Sequence, residues 1–264
     1  MYITPEQQEK LRELILNQGG IVMEAYKNRR SLITEYKADG CDFVTETDRL
    51  VEKNLIEGIL TLFPDAIIHG EEYGLTEDIS GDRPIFVIDP IDGTKYFRYG
   101  MSLFTISIGI QFAGKPIYGI ILNPLSGDII FGGTDYGVFD QFGKVEIPGV
   151  KPLHQTQIYF DTVGIHEVSE EDRVKGLELI KRLNIEVYRS RSAGASCMFA
   201  FGAVNGLIGG MIDIFGGVKV TDQIGFFAIL EGLGWEVREV TYGNIRTSWL
   251  APSSTLDDLL LLLA

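Results

Sequence analysis

The stretch from residue 85 to residue 94, with the sequence IFVIDPIDGT, constrains the fold of the chain most strongly. It begins with four apolar residues, a pattern that predicts a strand buried inside the protein. Two carboxylates follow, Asp89 and Asp92, with Pro90 between them. Because proline has no N–H group to give to a strand ladder, we expect the strand to stop at Asp89 and the chain to turn there.

The residues after the two carboxylates favour a turn that can bind an anion. Gly93 permits a tight turn, and Thr94 is expected to cap the helix that follows. A strand end with paired carboxylates beside free N–H groups can hold a hard cation and a phosphate side by side. The alternative is an exposed turn rich in aspartate, which is the usual outcome for Asp-Pro and Asp-Gly pairs. Taken alone, the stretch is compatible with both interpretations.

Further motifs flank this stretch in a characteristic order. Residues 42–48 (DFVTETD) and 70–74 (GEEYG) precede it, and residues 191–195 (RSAGA) and 221–222 (TD) follow it. Together with DPIDGT they resemble the motifs of the inositol monophosphatase-like, magnesium-dependent phosphatases, from about residue 37 to residue 252. The resemblance implies an α/β (α+β) fold, the layered αβαβα sandwich of the sugar phosphatases.

Apolar spacing and turn residues predict the order of the elements. The first half is predicted to contain helices over residues 6–30 and 47–63, a short strand at 67–68, the strand at 85–89 and an antiparallel meander over 105–110, 116–122 and 128–132. In the second half, helices over 170–183, 196–206, 222–232 and 254–263 alternate with strands over 186–189, 211–214 and 235–240, an order typical of an α/β layer. Thr47 is expected to be the N-cap of the second helix, and the strand at 105–110 to be half-buried.

A domain boundary is expected in the loop at residues 145–152. We therefore divide the chain into an N-terminal α+β domain, residues 1–148, and a C-terminal α/β domain, residues 149–264. The first domain would carry the metal-binding and catalytic motifs, while the second would contribute the last metal ligand and contacts to the substrate.

Charge and composition argue against several classes of function. The formal net charge of −14 speaks against nucleic acid as a partner, because binding it needs a basic patch. The polar start of the chain predicts no signal peptide, and the longest apolar run, residues 259–264, is far too short for a membrane span. Cys41 and Cys197 have no disulfide or metal-binding spacing, so we expect reduced thiols and a cytoplasmic protein.

Carboxylates from separate segments are the strongest chemical signal. Besides the two of the central stretch, Asp48, Glu71 and Asp222 belong to the flanking motifs. Bringing them together without compensation would raise their pKa values by mutual repulsion. Hard divalent cations remove this conflict, and Mg²⁺ is suited to carboxylates, water and a substrate phosphate. Two such ions about 3.5–4 Å apart can bind both the attacking and the leaving oxygen of an in-line displacement at phosphorus.

The resemblance implies which residues bind the metal ions. The first ion would be bound by Glu71, Asp89 and the carbonyl of Ile91. The second would be bound by Asp89, Asp92 and Asp222, and the family uses two or three Mg²⁺ ions per active site. The residue before Asp222 is a threonine where the family usually has tryptophan. A simple helix cap is therefore the alternative role for this aspartate.

The resemblance also implies the catalytic and phosphate-binding residues. Thr94, in contact with Asp48, would orient the attacking water, and Glu71 is counted as catalytic with them. The backbone N–H groups of Gly93 and Thr94 would receive phosphate oxygens at the start of a helix. Asp92 would also contact the substrate.

For the rest of the substrate the resemblance indicates further candidates. The backbone of Gly194 and Ala195 would face the substrate's ring. Lys37 and Arg191 would place positive charge near the site; the alternatives are a solvated lysine and an arginine that binds a helix C-terminus or a carboxylate. Phe215 stands seven residues before the last metal-binding aspartate, where the animal inositol monophosphatases have an acidic residue that contacts ring hydroxyls.

These observations predict a magnesium-dependent phosphatase that hydrolyses a phosphate monoester of a small metabolite, with inositol monophosphate as the first candidate. Fructose 1,6-bisphosphate and 3′-phosphoadenosine 5′-phosphate are the alternative substrates. A non-catalytic, phosphate-binding regulatory protein is the alternative of another class, but such a protein has no need of the complete set of acidic residues. By resemblance we also expect inhibition by lithium and a homodimer.

Overall fold

Two β-sheets and the helices packed on them form the frame of the protein. The computed structural model describes residues 1–36, 43–76 and 83–263. The first half contains α1 (Pro5–Lys27), β1 (Thr34–Tyr36), β2 (Phe43–Thr45), α2 (Glu46–Leu62), β3 (Ile67–Gly70), β4 (Gly74–Leu75), β5 (Ile85–Asp92), α3 (Thr94–Tyr99), β6 (Thr105–Phe112), β7 (Lys115–Leu122), β8 (Ile129–Gly133), β9 (Gly137–Asp140) and β10 (Gly143–Lys144). The second half contains β11 (Gln157–Asp161), α4 (Glu170–Glu186), β12 (Arg189–Arg191), α5 (Ser196–Val204), β13 (Ile208–Asp213), α6 (Val220–Gly232), β14 (Glu236–Tyr242), β15 (Ile245–Ala251) and α7 (Ser253–Leu260). None of the helices in the three described ranges has the length and apolar character that crossing a bilayer requires.

The larger sheet has eight strands in the order β10-β9-β8-β7-β6-β5-β3-β4. β3 and β5 run parallel, and the strands from β5 to β10 form an antiparallel meander. One face is covered by α1 and α2, whose apolar residues recur every three or four positions, such as Leu11 and Ile15 or Val51 and Leu55. Each such side chain contributes about 1.5–3 kcal/mol when it is fully buried.

The smaller sheet has five strands in the order β12-β11-β13-β15-β14. β12, β11 and β13 are parallel, whereas β15 and β14 are antiparallel to their neighbours. The outer face is covered by α4 and α7, through a core that includes Leu179, Leu183 and Leu256. The carboxyl ends of β11 and β13 therefore lie at the same edge of this sheet, where Asp161 is opposite Asp213.

The layer between the two sheets is formed by α5 and α6. Its core combines Ile121 from the larger sheet with Met211 and Leu250 from the smaller one. The preceding residue in β7, Ile120, belongs instead to the core beneath α1 and α2, because successive side chains of a strand point to opposite faces. The layers follow the order α1/α2, larger sheet, α5/α6, smaller sheet and α4/α7. This order confirms the predicted α/β fold of αβαβα type.

Strand β6 is buried on both faces, although its alternating pattern over residues 105–110 predicted a half-buried strand. The face with small residues lies against α6. A Cβ atom on Gly109 would lie 2.5 Å from the backbone nitrogen of Gly225, and one on Gly119 would lie 2.0 Å from the carbonyl oxygen of Gly225. The small residues therefore make room for a helix, which an alternating pattern alone does not distinguish from a solvent-exposed face.

The first two helices have boundaries that differ from the sequence prediction. The first ends at Lys27 instead of residue 30. The N-cap of α2 is Thr45, whose side chain accepts the backbone N–H of Thr47, while the Asp48 carboxylate accepts the backbone N–H of Thr45. The prediction of Thr47 as the cap was wrong, because Asp48 stands three residues after Thr45 and completes a capping box there.

Two strands of the second half also differ from the prediction. β12 begins at Arg189 because α4 continues to Glu186, whereas the sequence predicted a strand over 186–189. β15 was not predicted, although it pairs with β14 along its whole length. Arg246 and Ser248 interrupt its first half, and only its last three residues, Trp249 to Ala251, form an apolar run, which is short for a strand signal.

The loop at residues 145–152 lies between the last strand of the larger sheet and the first strand of the smaller one. α5 and α6 follow this loop in sequence but pack against both sheets. The domain division at residues 148 and 149 therefore stays a prediction.

Candidate active site

A bulge at the end of β5 brings its two carboxylates to one face of the sheet. β5 does not stop at Asp89 but continues to Asp92, and its pairing with β6 shifts between them. Asp89 is opposite Ser107, and Asp92 is opposite Thr105. Residues three apart face opposite sides of a regular strand, so the one extra residue is what aligns the carboxylates. The predicted turn at Pro90 is thus a bulge within the strand.

Glu71 approaches these carboxylates from the parallel neighbour β3. Its backbone N–H donates to the carbonyl of Ile88 at 3.1 Å, just after β3 ends. The Glu71 side chain is 10% exposed, and Asp89 is 2% exposed. Burial, and next the charge of Glu71, raise the pKa of Asp89 well above its usual value. Burial, and next the charge of Asp222, do the same to the pKa of Asp92.

Asp222 reaches the site from the second half of the chain, in the first turn of α6. Lys219 is the N-cap of this helix, so Asp222 is not its cap. The Thr221 hydroxyl donates to Oδ1 of Asp222 at 3.0 Å. Burial, followed by the charge of Glu71, raises the pKa of Asp222 to about 7, while the charge of Lys219 opposes this shift. The charges of Asp222 and Glu71 therefore act on each other, although the two residues belong to different halves of the chain.

These four carboxylates have the chemistry of a site for hard divalent cations. All four offer oxygen ligands, and burial, followed by the charges of neighbouring carboxylates, raises the pKa of three of them. A divalent cation relieves the repulsion between these charges. Within residues 1–36, 43–76 and 83–263, no three His, Cys, Asp or Glu side chains form a group that could hold a metal ion as they stand. Joint binding of a cation by these carboxylates would require their side chains to rotate about backbones that the sheet and α6 hold in place.

Thr94 lies between the carboxylate of Asp48 and the carbonyl of Ile91. Its hydroxyl oxygen is 3.2 Å from Oδ1 of Asp48 and 3.0 Å from the Ile91 oxygen. Thr94 is the first residue of α3, and the N-cap is Gly93 with a φ of 88°, so the Thr94 side chain does not cap the helix as predicted. Burial raises the pKa of Asp48 to about 7, although hydrogen bonds from Thr45 favour its ionised form.

Glu52 is a residue of the site that the sequence analysis missed. Its side chain lies on α2 and is fully buried. The two carboxylate oxygens accept the backbone N–H groups of Glu72 and Tyr73, each at 2.9 Å. A Cβ atom on Gly70 would lie 1.8 Å from Oε1 of Glu52. Glu52 therefore fixes the turn that carries Glu71, and the available signal was an acidic residue on the apolar face of α2.

The start of α5 contacts one carboxylate of β5, that of Asp92, from the neighbouring layer. The backbone N–H of Cys197, in the first turn of α5, donates to Oδ2 of Asp92 at 2.8 Å. Gly194 is exposed and has a φ of 62°, whereas Ala195 is fully buried. Of the two residues expected to face the substrate's ring, only Gly194 is open to solvent in this conformation.

Of the two residues expected to place positive charge near the site, the structure describes Arg191 but not Lys37. Arg191 is half-buried at the end of β12, and its guanidinium donates to the carbonyl of Ser190 at 3.0 Å. Lys37 lies outside the described residues. Close to Arg191, the hydroxyl of Tyr96 in α3 donates to the carbonyl of Ala193 and so connects the two halves of the chain.

Phe215 does not line the site. Its ring is buried in the core between the smaller sheet and α4, where a Cβ atom on Gly176 would lie 2.3 Å from it. The carboxylate of Asp213, at the end of β13, accepts the backbone N–H groups of Phe215, Gly216 and Val218 at 2.8–3.2 Å. Asp213 therefore shapes the loop that leads into α6.

Comparison with known proteins identifies relatives of this chain. The model of the inositol monophosphatase family matches residues 6–254. The chain is 28% identical over 210 residues to a fructose-1,6-bisphosphatase/inositol-1-monophosphatase of Aquifex aeolicus, which covers 77% of this chain and 78% of the relative. It is 28% identical over 193 residues to inositol monophosphatase 1 of Bos taurus, covering 71% of this chain and 69% of the relative.

A solved structure shows the same fold over the whole chain. An inositol monophosphatase (IMPase) from Thermotoga maritima aligns with a TM-score of 0.80 at 21% identity, covering 98% of this chain and 97% of that one. The matching family consists of metal-dependent phosphatases that generally use Mg²⁺ and act on small phosphorylated substrates. Since its model spans nearly the whole sequence, the chain is a phosphoric monoester hydrolase and belongs to the inositol monophosphatase family.

Proposed function

We propose that this protein releases inorganic phosphate from a phosphate monoester of a small metabolite in a Mg²⁺-dependent reaction, with inositol monophosphate as its first candidate substrate. The observation that carries the proposal is the bulge in β5. It directs Asp89 and Asp92 to one face of the sheet, towards Glu71 and Asp222. Buried carboxylates gathered in this way are suited to holding cations that in turn attract a phosphate.

The proposed metal ligands come from three elements. Glu71, Asp89 and the carbonyl of Ile91 would hold the first Mg²⁺ ion. Asp89, Asp92 and Asp222 would hold the second. Bound Mg²⁺ supplies Lewis acidity, which neutralises charge on the phosphate and makes water a stronger acid. Asp89 belongs to both sets, so we assign it the largest share in metal binding.

Asp48 and Thr94 are proposed to orient the attacking water. When Asp48 is ionised, Thr94 can donate its proton to that carboxylate and keep its lone pairs free to accept a hydrogen bond from water. The pKa of Asp48 is raised to about 7, so both protonation states are populated near neutral pH. The pair can therefore hold a water molecule and receive its proton as attack proceeds.

The substrate is proposed to bind between the two halves of the chain. The backbone N–H groups of Gly93 and Thr94 would receive phosphate oxygens, with Asp92 beside them. Gly194, which is exposed, would face the remainder of the substrate, together with the backbone of the neighbouring Ala195. Arg191 and Lys37 would add positive charge at the rim of the site.

Fructose 1,6-bisphosphate is the second candidate substrate. The relative from Aquifex aeolicus carries both activities in its name. In this chain the ring of Phe215 is buried away from the site, so position 215 offers no acceptor for the hydroxyls of inositol. A sugar with a different arrangement of hydroxyls is then at less of a disadvantage.

Phosphate release from a panel of substrates tests the proposal. The purified protein would be incubated with inositol 1-phosphate, fructose 1,6-bisphosphate and 3′-phosphoadenosine 5′-phosphate, with Mg²⁺ and with a chelator. We expect release that requires Mg²⁺, with inositol 1-phosphate among the substrates turned over. Release that continues unchanged in the chelator would contradict the metal-dependent mechanism, and no release from inositol 1-phosphate would contradict the substrate assignment.

Family membership also motivates proposals that concern the whole protein. We propose inhibition by lithium, a homodimeric assembly and a cytoplasmic location. Lithium titration of the phosphate-release assay tests the first, and light scattering of the purified protein tests the second. Insensitivity to high lithium would show that this chain departs from the family's behaviour.

A further inference from the structure

Lys219, from the second half of the chain, contacts one of the proposed metal ligands. Its Nζ atom lies 2.8 Å from Oε1 of Glu71, which is 148 positions earlier in the sequence. The Lys219 side chain is 49% exposed, whereas that of Glu71 is 10% exposed. Lys219 also stands three residues before Asp222 and lowers its pKa. One ammonium group therefore lies among carboxylates that come from both halves.

The backbone that carries Lys219 is closely packed. The loop before it is bound by the Asp213 carboxylate through three backbone N–H groups. A Cβ atom on Gly216 would lie 2.2 Å from a carbonyl oxygen of β15, and one on Gly217 would lie 2.5 Å from the backbone that follows β11. Because the backbone of this loop is closely packed, the ion pair separates by rotation of the Lys219 or Glu71 side chain and not by movement of the loop.

We propose that Lys219 competes with the divalent cation for Oε1 of Glu71 and thereby sets how tightly the site binds Mg²⁺. This inference rests on the metal site of the proposed function. An ammonium group and Mg²⁺ repel each other, so each weakens the binding of the other to a shared carboxylate oxygen. Metal binding through that oxygen therefore weakens the ion pair, and the free energy of the ion pair opposes the free energy of metal binding.

The exposure of the pair sets the size of the effect. The lysine side chain is half-exposed, so water and salt screen part of the attraction, while the buried position of Glu71 strengthens it. Removal of the ammonium charge should therefore tighten Mg²⁺ binding by about three- to tenfold. The same removal should destabilise the protein in a chelator, because the crowded carboxylates lose a positive neighbour.

Three variants separate charge from structure. Lys219→Met removes the charge and keeps an apolar stem, and Lys219→Arg keeps the charge. Lys181→Met is the matched control, because Lys181 pairs with Glu178 on the exposed side of α4. Mg²⁺ binding would be measured by calorimetry without substrate or phosphate, and Tm would be measured in a chelator and at saturating Mg²⁺. Lys219→Gln replaces the methionine variant if the latter does not fold.

We expect Lys219→Met to bind Mg²⁺ about three- to tenfold more tightly than the wild type. Its Tm should be lower in the chelator and equal at saturating Mg²⁺, while Lys219→Arg and Lys181→Met should resemble the wild type. Equal or weaker Mg²⁺ binding by Lys219→Met would overturn the competition and leave the proposed function intact. A wild type that binds no Mg²⁺ would overturn the proposed metal site itself, and the competition with it.

Discussion

The hydroxyl group of Thr94 lies 3.2 Å from Oδ1 of Asp48, although the two residues are 46 positions apart in the sequence. The same hydroxyl lies 3.0 Å from the carbonyl oxygen of Ile91. Since a hydroxyl group has a single proton, it can donate to only one of these oxygens at a time. An ionised Asp48 is the stronger acceptor, so the protonation state of Asp48 determines which of the two oxygens accepts the Thr94 hydrogen bond.

Removal of this hydroxyl should lower turnover and leave binding nearly unchanged. We expect Thr94→Ala to reduce kcat by about 10²–10⁴-fold with a much smaller change in KM, because a group that orients water acts in the transition state. Thr94→Ser keeps a hydroxyl and should retain most of the activity. Steady-state phosphate release measures both constants. Equal losses in the two variants would show that the methyl group and its packing matter, and not the hydroxyl.

In the absence of divalent cations, stability should decrease as the pH rises from about 4 to about 8. The pKa of Asp48 is raised from 3.8 to about 7 in the folded protein, so the folded state binds this proton more tightly than the unfolded chain. The resulting stabilisation is complete below the unfolded pKa and is lost as the pH passes through the folded pKa. A shift of this size corresponds to about 4 kcal/mol as an order of magnitude.

Urea denaturation in a chelating buffer at several pH values measures this dependence. Asp222, with a pKa of about 7, contributes a slope of the same sign. Asp48→Asn has no proton to titrate at this position, so it should show a smaller loss of stability over the same pH interval. If Asp48→Asn lost stability with pH as steeply as the wild type, Asp48 would not be one of the groups responsible.

Asp89→Asn should nearly abolish activity and at the same time stabilise the protein in a chelator. Burial and neighbouring carboxylates disfavour the charge of Asp89, and asparagine removes that charge without a change in volume. Its amide oxygen can still accept the backbone N–H of Ile91, as Oδ1 of Asp89 does at 2.9 Å. Phosphate release and Tm test the two effects, with the exposed Asp135→Asn as control. Wild-type turnover in Asp89→Asn would contradict a role in binding both metal ions.

Glu52→Gln should weaken Mg²⁺ binding, although Glu52 is not a proposed ligand. Both carboxylate oxygens accept backbone N–H groups, so an amide would direct its NH₂ group against one of these donors. Loss of such a buried hydrogen bond costs about 1–3 kcal/mol and would loosen the turn that carries Glu71. Calorimetry with Mg²⁺ and hydrogen exchange at residues 71–73 measure the two consequences.

Glu57→Gln is the matched control for this substitution. Glu57 lies on the same helix and is exposed, and its carboxylate forms a long surface ion pair with Lys53, at 4.0 Å. It should change neither Mg²⁺ binding nor exchange at residues 71–73. Unchanged exchange in Glu52→Gln would mean that the turn is held by its other contacts.

The residues of the site could be predicted from the sequence where a local signal accompanies them. Asp89 and Asp92 follow an apolar run and flank a proline, and this pattern was enough to predict paired carboxylates at a strand end. Their alignment could not be predicted, because the bulge is defined by the pairing with β6. The burial of β6 on both faces could not be predicted either, because only the fold shows that Gly109 lies against Gly225 of α6.

Glu52 and Lys219 were missed for a related reason. Their functional contacts are made with residues that are distant in sequence, 20 positions away for Glu52 with Glu72 and 148 for Lys219 with Glu71. An acidic residue on the apolar face of a helix and a lysine three residues before a motif aspartate are weak signals, and neither identifies the contact that the residue makes. Charged residues of this kind become recognisable only when the fold brings their partners close.

The choice of substrate should depend on the residue at position 215. The acidic ring contact of the animal inositol monophosphatases is expected at position 215, and here that residue is a buried phenylalanine packed against Gly176. Asp213 does not substitute for it freely, because its carboxylate is already bound to the loop that follows β13. A missing hydrogen bond to a charged group lowers discrimination by about 10–150-fold.

We therefore expect kcat/KM for inositol 1-phosphate to exceed the values for fructose 1,6-bisphosphate and 3′-phosphoadenosine 5′-phosphate by less than about a thousandfold.

Asp213→Asn serves as the matched variant. It should lower Tm, since an amide cannot accept all three N–H groups. It should leave the ratio of the kcat/KM values within about threefold of the wild type, because the Asp213 carboxylate is bound to its own loop and is not among the proposed substrate contacts. A preference for inositol 1-phosphate beyond a thousandfold would contradict the loss of the ring contact. If Asp213→Asn also reduced that preference about tenfold or more, Asp213 would be the acceptor that replaces it.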